Sequence, residues 1–423
     1  MTVEELVRKC YSHVSPKDID KHLNRVKALP QPEEALTTPK ILNSGKRGIC
    51  FADIFCGAGG LSLGFELEGG ICKFALDHDS SALETFKINR PKNIEVVNSE
   101  IACFLKNSRL TTKIPLVIGG PPCQGFSLAN QQPHKNDKRN HLYTEFLEVA
   151  SRFDAKIVVI ENVPGILKSW DLISTDLKKR GYGAHIFLLE AFEFGVPQKR
   201  KRVFIVAIRG VALSTKEAFL KLITEEIKKT KASANKYNIE EAIDGLPQLS
   251  AKKIRNSTHL ENEEVGYTIS KGTKITNKYL SIINKEFTDG FLFNHRSKYN
   301  SERDIKIYKS LGAGWNGKNY EFTKLNPYKN RDHIFKDKFF RLIPSKPSKT
   351  ITAHMYYDCH MYVHPFQNRG LTPREAARIQ GFPDQYIFLG KPNEWYRQIG
   401  NSVSPLVSRS LAKAIFKSAE QIL

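Results

Sequence analysis

Residues 119–127 read GGPPCQGFS, a cysteine behind two prolines with glycines on either side. Proline fixes the backbone and glycine removes steric cover, so Cys123 is pre-oriented and can be approached closely. A thiolate is the strongest ordinary side-chain nucleophile near neutral pH. A lone cysteine is structural by default, and two further strings shift that balance. Glu161-Asn162-Val163 ends the apolar run KIVVIE (156–161) and would project a carboxyl group at the same sheet edge. Gln198-x-Arg200-x-Arg202 sets two guanidiniums on one face of an extended segment. A nucleophile, a carboxyl acid and two guanidiniums suit attack on an electron-poor nitrogen heterocycle.

The string DIFCGAGG (53–60) follows one apolar run and precedes a helical pattern. Its glycines would let a ligand approach backbone N–H groups at a helix start. The spacing Gly57-x-Gly59-Gly60 departs from GxGxxG, which weakens a dinucleotide reading. Asp53 is awkward beside a pyrophosphate and suits a cationic ligand. Asp77, at the end of the next apolar run, sits where an acidic side chain commonly receives ribose hydroxyls. These residues read as a nucleoside-containing cofactor site or as a tight structural turn.

The elements that must carry these groups alternate. Apolar runs at 49–55, 72–77, 94–97, 116–120 and 156–161 are each followed by a stretch long enough for a crossover helix. That pattern predicts an α/β fold with a doubly wound, mostly parallel sheet. Cys123 and Glu161 then share its carboxyl edge, where such sheets bind ligands. Runs at 185–191 and 203–208 predict an antiparallel edge hairpin. The first 29 residues predict two short helices, the second opened by Ser15-Pro16-x-Asp18. A linker follows to residue 48. After Gly210 the alternation fades, to return near Arg341 with helices opened by Thr372-Pro373-x-Glu375 and Ser404-Pro405. The expected division is 1–47, helical extension and linker; 48–210, sheet domain; 211–340, inserted basic lobe; and 341–423, return to the sheet domain.

Composition narrows the partners. Of 423 residues, 40% are hydrophobic and 26% charged, as in a packed globular body. No run is apolar and long enough to span a bilayer, and sparse, scattered cysteines point to a reducing, cytoplasmic compartment. The seven cysteines are scattered, with no CxxC pair, which argues against a disulfide framework or a metal site. A net charge of +21 points to a polyanion. Residues 271–350 hold 18 Lys and Arg against 7 Asp and Glu, whereas 211–270 hold 9 of each. The segment from Tyr279 to Phe340 carries 13 aromatic residues, which reads as a nucleic-acid surface or as a basic subdomain with its own aromatic core.

In series, DIFCGAGG, GGPPCQGFS, ENV, QKRKR, RGLTPREAARIQGFP and QIGNSVSP closely resemble the DNA cytosine-C5 methyltransferases, in that family's order and roughly its spacing. The resemblance covers about residues 50–210 and 341–411. It implies the Rossmann-like fold of class I S-adenosylmethionine-dependent enzymes, with 211–340 as a target-recognition region on double-stranded DNA. It also implies thiolate addition by Cys123 at C6 of a flipped-out cytosine, Glu161 acting at N3, Arg202 at O2, and Arg200 near the nucleophile and target phosphate. To donate at N3, Glu161 must hold a proton near pH 7, which predicts a pKa raised by burial.

Asp53, Phe55, Gly57 and Gly60 would line the cofactor site, Asp77 would take the ribose, Glu100 the adenine amino group, and Asn401 and Val403 would close the pocket. Glu100 stands where the family usually has Asp. The polar stretch 124–140 reads as a loop closing over DNA, with Ser127, Lys135, Lys138 and Arg139 meeting phosphates. A compact chain of this kind resembles a monomeric bacterial modification enzyme, paired with a restriction endonuclease that acts on the same site. A transfer-RNA methyltransferase would share the fold, and a nicotinamide-dependent oxidoreductase is disfavoured by the glycine spacing and by GGPPCQ.

Overall fold

The computed structural model describes residues 1–31, 48–122, 142–257, 259–285, 290–316 and 338–422. They belong to two compact units. One, the sheet unit, holds 48–122, 142–195, 200–236 and 402–422; the other holds 1–31, 196–199 and the described part of 237–401.

In the sheet unit, five apolar runs become strands β1 (Cys50–Ile54), β2 (Ile71–Asp77), β3 (Glu95–Asn98), β4 (Leu116–Gly119) and β5 (Ile157–Asn162). Their ladders are parallel. With β6 (Gly183–Glu190) and β7 (Lys201–Ile208) the order is β3-β2-β1-β4-β5-β7-β6. The expected antiparallel hairpin forms, and its second strand lies inside the sheet, antiparallel to both β5 and β6. Burial explains the order. From Val203 to Ile208 every residue of β7 is buried, while β6 exposes His185 and Leu188, as an edge strand can.

Ala52, Ile54, Phe74, Leu76, Val117, Val158, Ile160, Val203 and Ile205 pack with Phe146, Leu147 and Phe153 in one core. Each of these side chains larger than alanine contributes about 1.5–3 kcal/mol when fully buried. Helices α3 (Gly60–Leu67), α4 (Ser80–Ile88), α5 (Ile101–Asn107), α6 (Leu142–Arg152) and α7 (Trp170–Lys179) make the connections. The final helix, Pro405–Ile422, returns to this unit against α3. There a Cβ on Gly64 would lie 2.4 Å from the Arg409 nitrogen, so only glycine lets the two helices approach this closely.

Sequence pattern failed between 211 and 236. That stretch was expected to open the basic lobe, yet it forms α8 (Leu213–Ser233), which buries Phe219, Ile223 and Ile227 at four-residue spacing. Lys417 of the final helix reaches Glu226 of α8 at 2.9 Å. The compact units change over after 236 and 401.

The second unit contains α1 (Val3–Cys10), α2 (Pro16–Lys27), α9 (Ile239–Ile243), α10 (Lys278–Ile283), α11 (Glu302–Ser310) and an antiparallel pair, β8 (Gly266–Lys271) and β9 (Phe291–Arg296). The string RGLTPREAARIQGFP holds it together from within. Arg369 grips Glu375 with two hydrogen bonds of 2.8 and 2.7 Å. Arg374 donates to the carbonyls of Phe293, Pro383 and Tyr386, and Arg378 pairs with Asp384. Burial alone would push the Glu375 carboxyl up; Arg369 and His364 instead hold it well below its usual range. Tyr279, Phe291, Phe293, Tyr308 and Phe339 are all at most 1% exposed. Tyr308 and Phe339 pack in one cluster with Ile307, Leu311 and Val363, so these rings lie in the interior rather than on a surface.

Candidate functional site

The strand order reverses between β1 and β4, and the loops leaving those strands bound the crevice where open α/β sheets take ligands. After β1 the chain turns sharply. Phe55 has φ 62°, and Gly57 and Gly59 have φ 51° and 85°. A left-handed phenylalanine is uncommon and marks a backbone held by its surroundings. Gly59 cannot be replaced freely, because a Cβ there would lie 2.5 Å from Arg90 Nη1 and 2.8 Å from Phe86 Cδ2.

Asp53 is fully buried. Ser62 donates to its Oδ2, while its Oδ1 is buried with no hydrogen-bond partner. Burial pushes the Asp53 carboxyl up to about 7, against the lowering effect of the Ser62 hydrogen bond. Asp77 closes β2 and accepts the N–H of Gly57 at 2.8 Å and of Asp79 at 2.9 Å. Nothing lies within 4 Å of the position a Gly57 Cβ would take. An orphaned carboxylate oxygen, a second carboxylate and open space beside the glycine turn fit a cationic, nucleoside-bearing ligand. Phe55 and Gly60 belong to the same turn. Glu100 is exposed at the start of α5 and makes no capping hydrogen bond. Val403 is buried in the sheet unit, whereas Asn401 ends the helix Pro392–Asn401 of the other unit.

Along the same edge, β5 brings Glu161 to Arg202 of β7, with Oε1 and Nε 3.1 Å apart. Burial raises the Glu161 pKa above its ordinary 4.5, more than Arg202 and Arg200 lower it. The expected direction is met. Arg200, whose charge also acts on Glu161, is 3% exposed and donates to the Ser402 carbonyl at 3.0 Å, just ahead of the final helix. Gln198 lies in the other unit, where its amide accepts from Ile351 N at 2.9 Å.

The base of GGPPCQGFS is built onto this carboxylate. A Cβ on Gly119 would lie 2.1 Å from the Ile54 carbonyl oxygen, and one on Gly120 would lie 3.0 Å from Glu161 Oε2. Glycine at 120 thus clears the acid. Asn162 donates to the Pro121 carbonyl at 2.9 Å and so ties ENV to PPC. Cys123 itself lies outside the described residues, as do Ser127, Lys135, Lys138 and Arg139.

Sequence reasoning missed Ser62, Asn162 and the Glu66–Arg90 pair. Asn162 was legible as the residue beside Glu161; Arg90 carries no motif. Its Nε binds Glu66 Oε1 at 2.8 Å, its Nη2 binds the Gly59 carbonyl at 2.9 Å, and it lies 3.8 Å over the Phe86 ring. Both partners are at least 98% buried in their side chains. Arg90→Met leaves Glu66 uncompensated, and the expected loss is about 3–5 kcal/mol, measured by denaturant unfolding beside the wild type. Among the described residues no cluster of His, Cys, Asp and Glu could hold a metal ion.

A family model described as C-5 cytosine-specific DNA methylase matches residues 49–417. The chain is 32% identical over 390 residues to the type II methyltransferase M.DdeI of Desulfomicrobium norvegicum, covering 86% of this chain and 87% of that protein. It is 30% identical to M.AgeI of Thalassovita gelatinovora, with 86% and 98% covered. Among solved structures, a prophage-encoded Escherichia coli protein assigned as a DNA modification methyltransferase superposes with a TM-score of 0.66. Its identity is 25%, with 88% of this chain and all of that chain covered. The Dnmt2 methyltransferase of Schizosaccharomyces pombe shares the fold at 16% identity and a TM-score of 0.51.

Proposed function

The chain belongs to the C-5 cytosine-specific DNA methylase family and is a DNA cytosine-C5 methyltransferase, and we propose that Cys123 and Glu161 carry its reaction on a cytosine swung out of the duplex. The Glu161–Arg202 pair supports this most directly, because it sits at the carboxyl edge against the glycine that leads into PPC. A base inside the helix is beyond the reach of any side chain, so extrusion precedes chemistry.

Cytosine C5 is too weak a nucleophile to take a methyl group unaided. The Cys123 thiolate forms a C–S bond at C6, and the 5,6 double bond's electrons become available at C5. Charge pushed into the ring collects at N3, where protonated Glu161 donates. Arg202 both orients that carboxyl group and contacts O2. S-adenosylmethionine, when bound, supplies an electrophilic sulfonium methyl. Asp53, Phe55, Gly57, Gly60, Asp77 and Glu100 would hold it, with Val403 closing the pocket. Loss of the C5 proton to solvent, together with expulsion of the thiolate, restores the aromatic ring. Asp53 suits such a ligand because its buried carboxylate gains from a positive partner.

The described part of 237–340 is the target-recognition region in this reading, with base edges read by its polar side chains and phosphates met by exposed lysines and arginines. The relatives' type II names suit a place beside a restriction endonuclease of the same specificity; in this reading the chain acts in the cytoplasm as a monomer. Bisulfite sequencing of plasmid DNA from cells that express the chain tests the function. Protected cytosines confined to one short sequence are expected. Unmodified plasmid, with methyl transfer to transfer RNA instead, would overturn it.

A further inference from the structure

The segment 1–31 precedes the family match, yet it is joined to the second unit through buried groups. Helices α1 and α2 are fixed locally by the Thr2–Glu5 capping box and by Ser15 at the cap of α2. They bury Leu6, Val7, Tyr11, Leu23 and Val26. The Tyr11 hydroxyl donates to Glu261 Oε2 at 2.8 Å, and His22 Nδ1 lies 3.6 Å from the same oxygen. The other oxygen of Glu261 meets Arg296 of β9 at 2.9 Å and accepts the N–H of Thr268 of β8 at 3.1 Å. Arg25 donates to the Ile269 carbonyl at 2.7 Å and to the Tyr11 hydroxyl at 3.2 Å, with its guanidinium 4.1 Å over the Tyr267 ring. One carboxylate therefore touches the residue that ends α1, and also α2, β8 and β9.

Two strands alone are marginally stable in water. Here the β9 side is held at Phe293 by Arg374 and at Asn294 by the Phe388 carbonyl. Tyr267 and Ile269 are held by Arg25 of the N-terminal pair, and Arg296 is reached only through Glu261, which Tyr11 also binds. His13 extends the same contact by lying edge-on to Trp395, 6.4 Å between ring centroids. We propose that the N-terminal helix pair is a positioning element for DNA recognition, fixing the β8–β9 pair through Tyr11, Arg25 and Glu261. This rests on the reading of that region as the one that recognises the target.

The test is the full-length double variant Tyr11→Phe/Arg25→Met, which leaves the Glu261–Arg296 pair intact and orphans no buried charge. Hydrogen exchange of residues 266–271 and 291–296 is read beside steady-state kinetics on duplex DNA. Positioning predicts exchange at least about tenfold faster in those strands. It also predicts KM for DNA raised about tenfold, with kcat and cofactor affinity within about twofold, and more methylation away from the preferred sequence. Unchanged exchange in the strands while residues 3–27 exchange faster would overturn the proposal. So would loosened strands with unchanged KM and sequence preference. If the double variant does not fold, Tyr11→Phe alone carries the same comparison, with about a threefold effect expected. Exchange needs no turnover, so a wild type that fails to methylate DNA would sink the functional reading separately from this one.

Discussion

Cys123→Ala lowers methyl transfer by at least about 10⁴-fold while leaving affinity for DNA and for S-adenosylmethionine within a few-fold of wild type. Removing the nucleophile of a covalent mechanism costs on this scale, because the remaining binding groups cannot make C5 reactive. The alanine is smaller than the thiol, so it adds no clash in a segment that glycine and proline already shape. Single-turnover assays with labelled methyl donor, beside a DNA-binding titration, separate the two quantities. A variant that loses binding and turnover together would place Cys123 in the architecture of the site rather than in its chemistry.

Glu161→Gln is expected to lower kcat by about 10²–10⁴-fold, the range for a positioned proton donor. The sign of the pH dependence follows from burial. The folded pKa of Glu161 lies above its ordinary 4.5, so the protonated, donating form persists above that value and is lost as pH rises through the folded pKa. Wild-type kcat should fall on that alkaline side, and the amide, which does not titrate, should remove the fall. Stability changes in the same direction. Burial disfavours the carboxylate, so the contribution is present at low pH and declines as pH rises through the folded value. An unchanged alkaline limb in Glu161→Gln would assign the titration to another group.

Much of this was legible in the chain itself, and the reasons differ by region. Parallel strands buried on both faces leave uninterrupted apolar runs such as IVVI, and the turns that follow them carry the reactive residues, so β1 to β5 and the edge they share could be read directly. The hairpin of β6 and β7 was legible as a pair. Its insertion order was not, because it depends on which strand β5 accepts as a neighbour. Helix α8 was missed although Phe219, Ile223 and Ile227 recur at helical spacing, since the surrounding lysines and glutamates mask the apolar stripe. The string RGLTPREAARIQGFP was recognisable by resemblance, but its work is structural: Arg369, Arg374 and Arg378 are buried and spend their donors on Glu375, Asp384 and backbone carbonyls. Long-range pairing of this kind leaves no local period to detect. The Glu66–Arg90 pair and the Glu261 cluster were hidden for the same reason, each joining elements distant in sequence.

The basic lobe shows how charge counts mislead. Arg296 and Arg341 contribute to the excess, yet one is paired with Glu261 and the other donates to a ring of carbonyls from Tyr308, Leu311 and His364. Only the exposed remainder is available for phosphates.

The central claim is a transient bond from one sulfur to an extruded pyrimidine. A duplex carrying 5-fluorocytosine at the target position tests it directly, because fluorine at C5 cannot leave as the proton does and the adduct stalls. In the presence of S-adenosylmethionine the account predicts a denaturation-resistant protein–DNA species, with the attached peptide mapping to Cys123 and no such species for Cys123→Ala. Free protein alone, with DNA and methyl donor both shown to be bound, would contradict it.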